Sequence, residues 1–351
     1  MQTFLCGTRL FFGAHALDAL ETLGAKRVLL VTDRFFTKNG TTDRVCAKLP
    51  GAQVKVFAEV CPDPPLTLIA QGVQVVQELQ PDTVLALGGG SAIDCAKGIV
   101  SLSSSDARLV AIPTTSGTGS EVTSFAILTH EGVKHPLVED RIRPAWAILD
   151  DSLLQALPRS LIADAGMDVL SHCLEAVAAK NASPVTDALA MSAFRTALHL
   201  LPASFDGKTD VRGEIHIAAT MAGLAFDNAG LGICHALSHA LGGAFHVAHG
   251  RLNGILLPHV LRFNAEAAHE PYARLAAFCG LSGPHGLIFA LQRLRSRLRL
   301  PATLTEAGIA REELLKAEGA LCQAALRDPC GESNPRPVTE EALRSLLRSA
   351  L

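Results

Sequence analysis

Aromatic and charged side chains are scarce in this sequence. One tryptophan and one tyrosine occur in 351 residues, and charged residues make up only 19%. So few large aromatic rings leave little for stacking on nucleic-acid bases. A formal net charge of −3 with mixed signs gives no basic stripe, so we expect no nucleic-acid partner. Hydrophobic residues reach 48%, which is typical of a globular chain rather than a disordered one.

Long apolar runs and C-x-x-C motifs are also missing. No stretch of about 20 residues is free of charged or polar interruptions, so we expect no membrane span. Residues 1–6 lack the charged and then apolar layout of a signal peptide. The nine cysteines are scattered and odd in number, which favours reduced thiols in a cytoplasmic protein.

The patterning of apolar residues divides the chain into two parts. In the first, short apolar runs alternate with amphipathic ones such as 67–79, which indicates a parallel sheet covered by helices. After about residue 149, long helical periods dominate. We therefore predict an α/β domain over 1–155 and an all-helical domain over 156–351. The predicted strands of the first domain are 27–33, 53–57 and 83–87.

A glycine turn follows the third predicted strand. Gly88, Gly89, Gly90 and Ser91 stand between that strand and a predicted helix. Glycines allow a sharp turn and the close approach of a pyrophosphate to the positive end of the helix. We expect Ser91 to be the N-cap and Asp94 to complete a capping box. Tight turns also use glycine for geometry alone, so this motif leaves nucleotide binding open.

A second polar loop, residues 112–123, carries the hydroxyls of Thr114, Thr115 and Thr118 after another apolar run. It is either a Ser/Thr turn that closes a strand or part of a ligand site at the ends of successive strands. Asp33 ends the first predicted strand, where its carboxylate can bind a ribose hydroxyl and repel a 2′-phosphate, or cap the next turn. Because Asp33 precedes the glycines, the unit differs from the standard G-x-G-x-x-G arrangement.

Histidines are concentrated in a small-residue, apolar region. Burying several of them without partners is costly, and a cation supplies a partner, so the pattern indicates a metal site. Asp168 and His172 are four residues apart and share a helical face. Four histidines fall within fifteen consecutive residues: His235, His239, His246 and His249. Spacing alone does not choose the ligands, since other side chains compete. The competitors are Asp164, Glu175, His239 and His246.

Taken together, these residues resemble the iron-containing (group III) alcohol dehydrogenases along nearly the whole chain. The combination and order of the motifs are specific, although no single motif is. The matching segments are GGGSAID (88–94), PTTSGT (113–118), GMDVLSH (166–172), HALSH (235–239), HG (249–250) and NPR (334–336).

The resemblance implies a metal centre and a cofactor site. The implied ligands of Fe2+, or of Zn2+ or another divalent ion, are Asp168, His172, His235 and His249. The implied catalytic residue beside the metal is His239, which either passes a proton to solvent or only packs against His235. The residues implied to hold NAD are Asp33, Gly89, Gly90, Ser91, Thr114, Thr115 and Thr118. The residues implied to line the substrate pocket are Phe125, Phe226 and Cys330.

The resemblance also implies hydride transfer between NAD(H) and a short-chain alcohol or aldehyde, in a cytoplasmic homo-oligomer such as a dimer. One carboxylate and three neutral imidazoles around a dipositive ion leave a net charge of +1, which suits a negatively charged substrate oxygen. One alternative keeps the fold: a polyol dehydrogenase for glycerol or a diol, or a dehydroquinate-synthase-like lyase. A metal-dependent hydrolase and a catalytically silent binding protein are alternatives of other classes.

Overall fold

The computed structural model describes residues 2–103, 105–130 and 133–351, and it forms two compact units. One unit is Cys6–Leu157 and contains the sheet. The other is Pro158–Leu351 together with the N-terminal segment that ends at Leu5, and it is helical. The predicted fold class, an α/β domain followed by an all-α domain, is confirmed.

The described strands all lie in the α/β unit, and six of them form one parallel sheet in the order β1-β8-β5-β4-β2-β3. The remaining two, β6 and β7, pair with each other in antiparallel fashion. The strands are β1 (Arg9–Gly13), β2 (Arg27–Val31), β3 (Gln53–Phe57), β4 (Thr83–Gly88), β5 (Arg108–Pro113), β6 (Phe125–His130), β7 (Val133–Val138) and β8 (Trp146–Asp150).

Within the described parts of the chain, four α-helices belong to the α/β unit and the others to the helical unit. Those of the α/β unit are α1 (Arg34–Lys38), α2 (Thr41–Ala47), α3 (Leu66–Leu79) and α4 (Gly90–Ser103). Those of the helical unit are α5 (Arg159–Ala178), α6 (Pro184–Phe205), α7 (Arg212–Ala229), α8 (Ile233–Phe245), α9 (His249–Asn264), α10 (His269–Phe278), α11 (Gly283–Arg297), α12 (Arg311–Arg327) and α13 (Glu340–Ser349).

The order of the strands places the ligand-binding edge of the sheet. From β2 the chain moves to β3 on one side and then returns to β4 on the other, so its direction reverses between β2 and β4. Every residue of β4 is buried because both faces of the sheet are covered, as its unbroken apolar run predicts. In open parallel sheets, ligands bind at the carboxyl ends of the strands beside such a reversal.

No single helix among the described residues is long and apolar enough to cross a membrane. Two bent helix pairs, α7 with α8 and α10 with α11, meet the criteria of length and composition together.

Helix α5 is the centre of the helical unit and packs against α6, α7 and α9. Nearly all of its residues from Ile162 onwards are buried. Its contact with α9 is close, because a Cβ atom added to Gly250 would stand 2.0 Å from the Asp164 carbonyl oxygen. The residue before this glycine is His249, so the close approach of the two helices also fixes the backbone position from which the His249 side chain extends.

We predict that Gly250→Ala destabilises the protein by about 1–3 kcal/mol, since the added methyl group must push two helix backbones apart. Gly319→Ala is the matched control. It also lies inside a helix, but its nearest neighbour would be the Arg344 guanidinium at 3.4 Å. We expect the control to be neutral or slightly stabilising. Urea unfolding of both variants measures the difference, and equal midpoints would show that the α5–α9 contact is not tight.

Candidate active site

Three of the predicted nucleotide-binding segments lie side by side in the α/β unit. Asp33, the glycine turn and the threonine loop follow β2, β4 and β5, which are neighbours in the sheet. The Thr114 N–H donates to the Gly88 carbonyl (3.0 Å), so the two loops touch where their strands end. These segments therefore share the edge of the sheet beside the reversal of chain direction.

The glycines of the turn make room for threonine side chains. A Cβ atom at Gly89 would meet Thr115 Oγ1 at 3.1 Å, and one at Gly90 would meet Thr118 Cγ2 at 2.8 Å. From the sequence alone, these glycines are expected to admit a pyrophosphate. In the structure they also leave room for the threonine loop. The packing of both loops therefore requires that positions 89 and 90 have no side chain.

The capping-box prediction for Ser91 and Asp94 is wrong. Helix α4 begins at Gly90, so Ser91 lies inside its first turn. The Asp94 carboxylate accepts hydrogen bonds from Ser120 Oγ (2.7 Å) and from the Ile127 N–H (3.0 Å). Burial raises the pKa of Asp94, although nearby Lys97 opposes this effect. Asp94 is therefore bonded to the threonine loop and to β6 rather than to the start of α4.

Lys97 is a residue that sequence reasoning missed. Its side chain is fully buried, and Nζ donates to Ser120 Oγ (2.9 Å), Thr123 Oγ1 (3.1 Å) and the Phe125 carbonyl (2.6 Å). Lys97 and Asp94 thus tie the threonine loop and the start of β6 to α4. The available signal was a lysine within a run of small and apolar residues.

Asp33 caps a helix, which is one of the two roles left open by the sequence. Its Oδ1 accepts from the N–H groups of Phe35 (2.8 Å) and Phe36 (3.3 Å) at the start of α1. Phe125, the pocket residue expected in this unit, is the first residue of β6 and is half-buried.

In the helical unit, the four side chains predicted as metal ligands converge. Asp168 Oδ1 lies 3.5 Å from His249 Nε2, 3.8 Å from His235 Nε2 and 4.0 Å from His172 Nε2. Helix α5 supplies Asp168 and His172 one turn apart, α8 supplies His235 from its first turn, and α9 begins at His249. Asp168, His172 and His235 are buried.

This donor set suits a divalent cation. In a tetrahedral site, atoms about 2.1 Å from an ion stand roughly 3.4 Å apart, close to the distances seen around Asp168 Oδ1. Three imidazole nitrogens and one carboxylate oxygen are ligands that iron and zinc both accept. Burial lowers the pKa of His235, but the charges of Glu175 and Asp168 outweigh burial and leave that pKa above its usual value. The carboxylates around His235 therefore make this pocket favourable for a cation.

Aromatic stacking fixes the ring of His172. It lies between the ring of Phe226, with centroids 4.4 Å apart, and the ring of His235 at 4.6 Å. Phe226, one of the expected pocket residues, is therefore in contact with an expected ligand, and it is almost completely buried.

His239 lies beside the four converging side chains. Its ring stacks on His249 with centroids 5.0 Å apart, and its Nδ1 is 2.8 Å from Asp328 Oδ2. Burial raises the pKa of Asp328, yet hydrogen bonding to His239 brings that pKa below its usual value. Asp328 gave no signal in the sequence, because no histidine lies near it along the chain.

Cys330, the third expected pocket residue, is buried close to Asp328. Burial and the nearby carboxylate raise the pKa of Cys330 well above its usual value, so its sulfur remains a neutral thiol. His239, Asp328 and Cys330 are near enough to hold a cation. A protonated thiol is a poor ligand, and the Nδ1 atom of His239 is already engaged by Asp328, so Asp168 and its three imidazoles form the better site.

Three of the competing side chains have other partners: Asp164, Glu175 and His239. Asp164 forms a bidentate ion pair with Arg251, and His246 ends α8 in a left-handed conformation. Glu175 bonds to His235 Nδ1 at 2.5 Å. Asn253, which sequence reasoning missed, places Nδ2 2.8 Å from Asp168 Oδ1. Its signal was a position one helical turn after His249.

Comparison with known families agrees with this arrangement. Residues 7–151 match the iron-containing alcohol dehydrogenase model, and residues 162–351 match the model of the Fe-containing alcohol dehydrogenase family, C-terminal. The chain belongs to the iron-containing alcohol dehydrogenase family. This confirms the predicted family and the predicted enzyme class, an oxidoreductase that acts on CH–OH groups.

Individual relatives are similar along the whole chain. The 1-propanol dehydrogenase PduQ of Salmonella typhimurium is 40% identical, with 100% of both chains covered. The NADPH-dependent butanol dehydrogenase of Clostridium saccharobutylicum is 34% identical (99% and 97% covered). The NAD-dependent methanol dehydrogenase of Bacillus methanolicus is 35% identical (95% and 94%). The solved iron-containing alcohol dehydrogenase of Thermococcus thioreducens superposes with a TM-score of 0.95 at 32% identity, covering 99% of each chain.

We predict that Gly90→Ala weakens NADH binding roughly tenfold, because the new methyl group displaces Thr118 from the turn and a loss of about 1.4 kcal/mol is tenfold in affinity. The double variant Gly90→Ala/Thr118→Ser removes the methyl group that would be struck at 2.8 Å. It should recover most of the affinity in a fluorescence titration with NADH. If the double variant binds no better than the single one, the steric explanation is wrong.

Proposed function

We propose that this enzyme interconverts short-chain alcohols and aldehydes with NAD(H) and iron, and that aldehyde reduction is its working direction. The observation that carries the proposal is the convergence of three imidazole nitrogens on the Asp168 carboxylate in a member of this family. The names of propanol-, butanol- and methanol-oxidising relatives support small aliphatic substrates.

The residues that would hold the ion are Asp168, His172, His235 and His249. When bound, iron supplies Lewis-acid stabilisation of a negatively charged substrate oxygen, and NAD(H) supplies or accepts the hydride. Phe226 and Cys330 give the neighbourhood an apolar wall without charge. Such a wall favours an aliphatic chain over a phosphate or a sugar, which would need basic or many polar partners.

We assign the exchange of the substrate proton to His239. Its Nδ1 is oriented by Asp328 and its ring is stacked on His249, so Nε2 is the nitrogen left for a proton exchanged with substrate or solvent. The side chain of His239 is 10% exposed, whereas that of His235 is 2% exposed. His239 is therefore the better placed of the two to reach water.

For the nucleotide, we propose that Gly89, Gly90, Ser91, Thr114, Thr115 and Thr118 hold the phosphates and the ribose. Backbone N–H groups at the start of α4 and the hydroxyls of the threonine loop are suitable donors. We propose further that Asp33 selects NAD over NADP, because a carboxylate repels a 2′-phosphate and accepts hydrogen bonds from a free ribose hydroxyl.

We also propose a cytoplasmic homodimer as the working form. All nine cysteines are free, as expected in a reducing compartment. Gel filtration with light scattering measures the oligomeric state.

The proposed activity is tested on protein purified without oxygen and loaded with Fe2+. We expect propanal to consume NADH, seen as a loss of absorbance, and excess 1-propanol to produce it from NAD. His235→Ala should bind Fe2+ at least about 100-fold more weakly and lose turnover, because a ligand is removed. His199→Ala changes an exposed histidine of α6 and should retain both metal and activity. A metal-loaded protein that leaves NADH unchanged with every short aldehyde would favour the hydrolase alternative.

The role of Asp33 is tested with Asp33→Asn, which removes the charge but keeps a side chain able to cap α1. We expect the ratio of kcat/KM for NADH over NADPH to fall roughly tenfold, as loss of about 1.4 kcal/mol of repulsion requires. Thermal unfolding should be little changed, because the cap remains. An unaltered ratio means that selection lies elsewhere in the nucleotide site.

A further inference from the structure

We propose that Glu175 is a positioning residue of the metal centre: it fixes the imidazole of His235 so that Nε2 faces the ion, and it thereby sets the affinity for the metal. The inference rests on the ligand role proposed for His235. It concerns a buried carboxylate for which the proposed mechanism has no other use.

The placement of Glu175 follows from helix α5. It stands seven residues, about two turns, after Asp168 and three after His172, so one face of α5 carries all three side chains. Glu175 is only 3% exposed. A carboxylate this deeply buried is costly unless its oxygens are occupied, and both of them are.

One oxygen holds the ring. Glu175 Oε2 is 2.5 Å from His235 Nδ1. A carboxylate only accepts hydrogen bonds, so Nδ1 must carry the proton. In the neutral ring, Nε2 then has no proton, and its lone pair points to the side where Asp168 Oδ1 lies 3.8 Å away. An imidazole held in this tautomer is ready to bind a cation through Nε2, and carboxylate partners of this kind raise ligand basicity.

The other oxygen holds the helix that carries the ring. Glu175 Oε1 accepts the Cys234 N–H at 2.7 Å, in the first turn of α8. That N–H has no partner within its own helix, and the positive end of the helix dipole stabilises the carboxylate there. Glu175 thus fixes both the start of α8 and the orientation of the ring one residue later.

Glu175 acts through His235 rather than on the ion directly. Its two oxygens are engaged by Nδ1, on the far side of the ring from Nε2, and by the backbone of α8. The Glu175 carboxylate also packs directly against the backbone of Gly232, where a Cβ atom would stand 2.6 Å from Oε1. The carboxylate is therefore held in one orientation.

The chain contains a matched control for this pair. Asp328 bonds to Nδ1 of His239 at 2.8 Å, so it is also a carboxylate that orients an imidazole, and its side chain is only 12% exposed. His239 is outside the proposed ligand set. Changing each carboxylate to its amide removes the same charge from the partner of an imidazole, but only Glu175 holds an imidazole of the proposed ligand set.

The test is titration of metal-free protein with Co2+, followed by the visible ligand-field spectrum, and with Fe2+ under anaerobic conditions. Glu175→Gln should bind both ions roughly 10- to 100-fold more weakly. The amide N–H₂ group of Gln can face Nδ1 and move the ring proton to Nε2, which blocks coordination. Asp328→Asn should bind both ions with wild-type affinity. Thermal unfolding of the metal-free variants shows whether each is folded.

Four results distinguish the possibilities. If Glu175→Gln binds Co2+ as tightly as wild type, or if Asp328→Asn weakens binding equally, the positioning role is wrong. If Glu175→Gln does not fold, Glu175→Asp keeps the charge at a shorter reach and should give an intermediate affinity and a shifted cobalt spectrum. An unchanged affinity and spectrum in that variant overturns the inference. If His235→Ala also leaves affinity unchanged, the ligand assignment itself fails, and the proposed function fails with it.

Discussion

The helical unit depends on how three imidazoles and one carboxylate share a buried space. Asp168 is the common neighbour of His172, His235 and His249, at 3.5–4.0 Å from each Nε2 atom. Polar groups buried without partners cost several kcal/mol, about as much as a domain's whole margin of stability. The surrounding contacts offset this cost. Glu175 bonds to His235, the ring of Phe226 stacks on His172, and the Asn253 amide donates to Asp168.

This constraint explains the composition of the surrounding helices. Three helices must bring side chains to one point, so their backbones have to approach closely, and Gly250 permits the closest approach. The stretch from α7 to α9 is rich in small, apolar and histidine residues because the helices must approach closely there. The carboxylates around this point each have a partner of their own, since a buried charge without one is costly: Asp164, Asp168, Glu175 and Asp328.

Much of the fold was predictable from the spacing of apolar residues and from the turn residues that separate apolar runs. The strands β2, β3 and β4 and helix α3 were expected within a few residues, since apolar runs and helical spacing are local signals. The antiparallel pair β6–β7 and the edge strand β1 were missed. β1 and the described side chains of β7 are exposed or half-buried. The burial of β6 alternates, but its sequence, FAILTH, does not alternate between apolar and polar residues, so no local signal marks these strands.

The candidate site was predictable only in part, for a physical reason. Asp168 and His172 could be recognised as a candidate ligand pair because one helical turn separates them. The spacing left Glu175 and Asp164 as rivals, because only three-dimensional structure shows that each has a different partner. Asp328 meets His239 across 89 residues of chain, and local pattern contains no trace of such a contact. The capping box failed likewise, because Asp94 bonds to a distant loop.

Thr115 and Thr118 pack over Gly89 and Gly90, so the two loops that carry these residues constrain each other's sequence. A family member that gains a side chain at position 89 or 90 needs a smaller partner at 115 or 118, so these positions should drift together through evolution rather than singly. Transplanting either loop alone into another scaffold would separate halves of one interlocking surface.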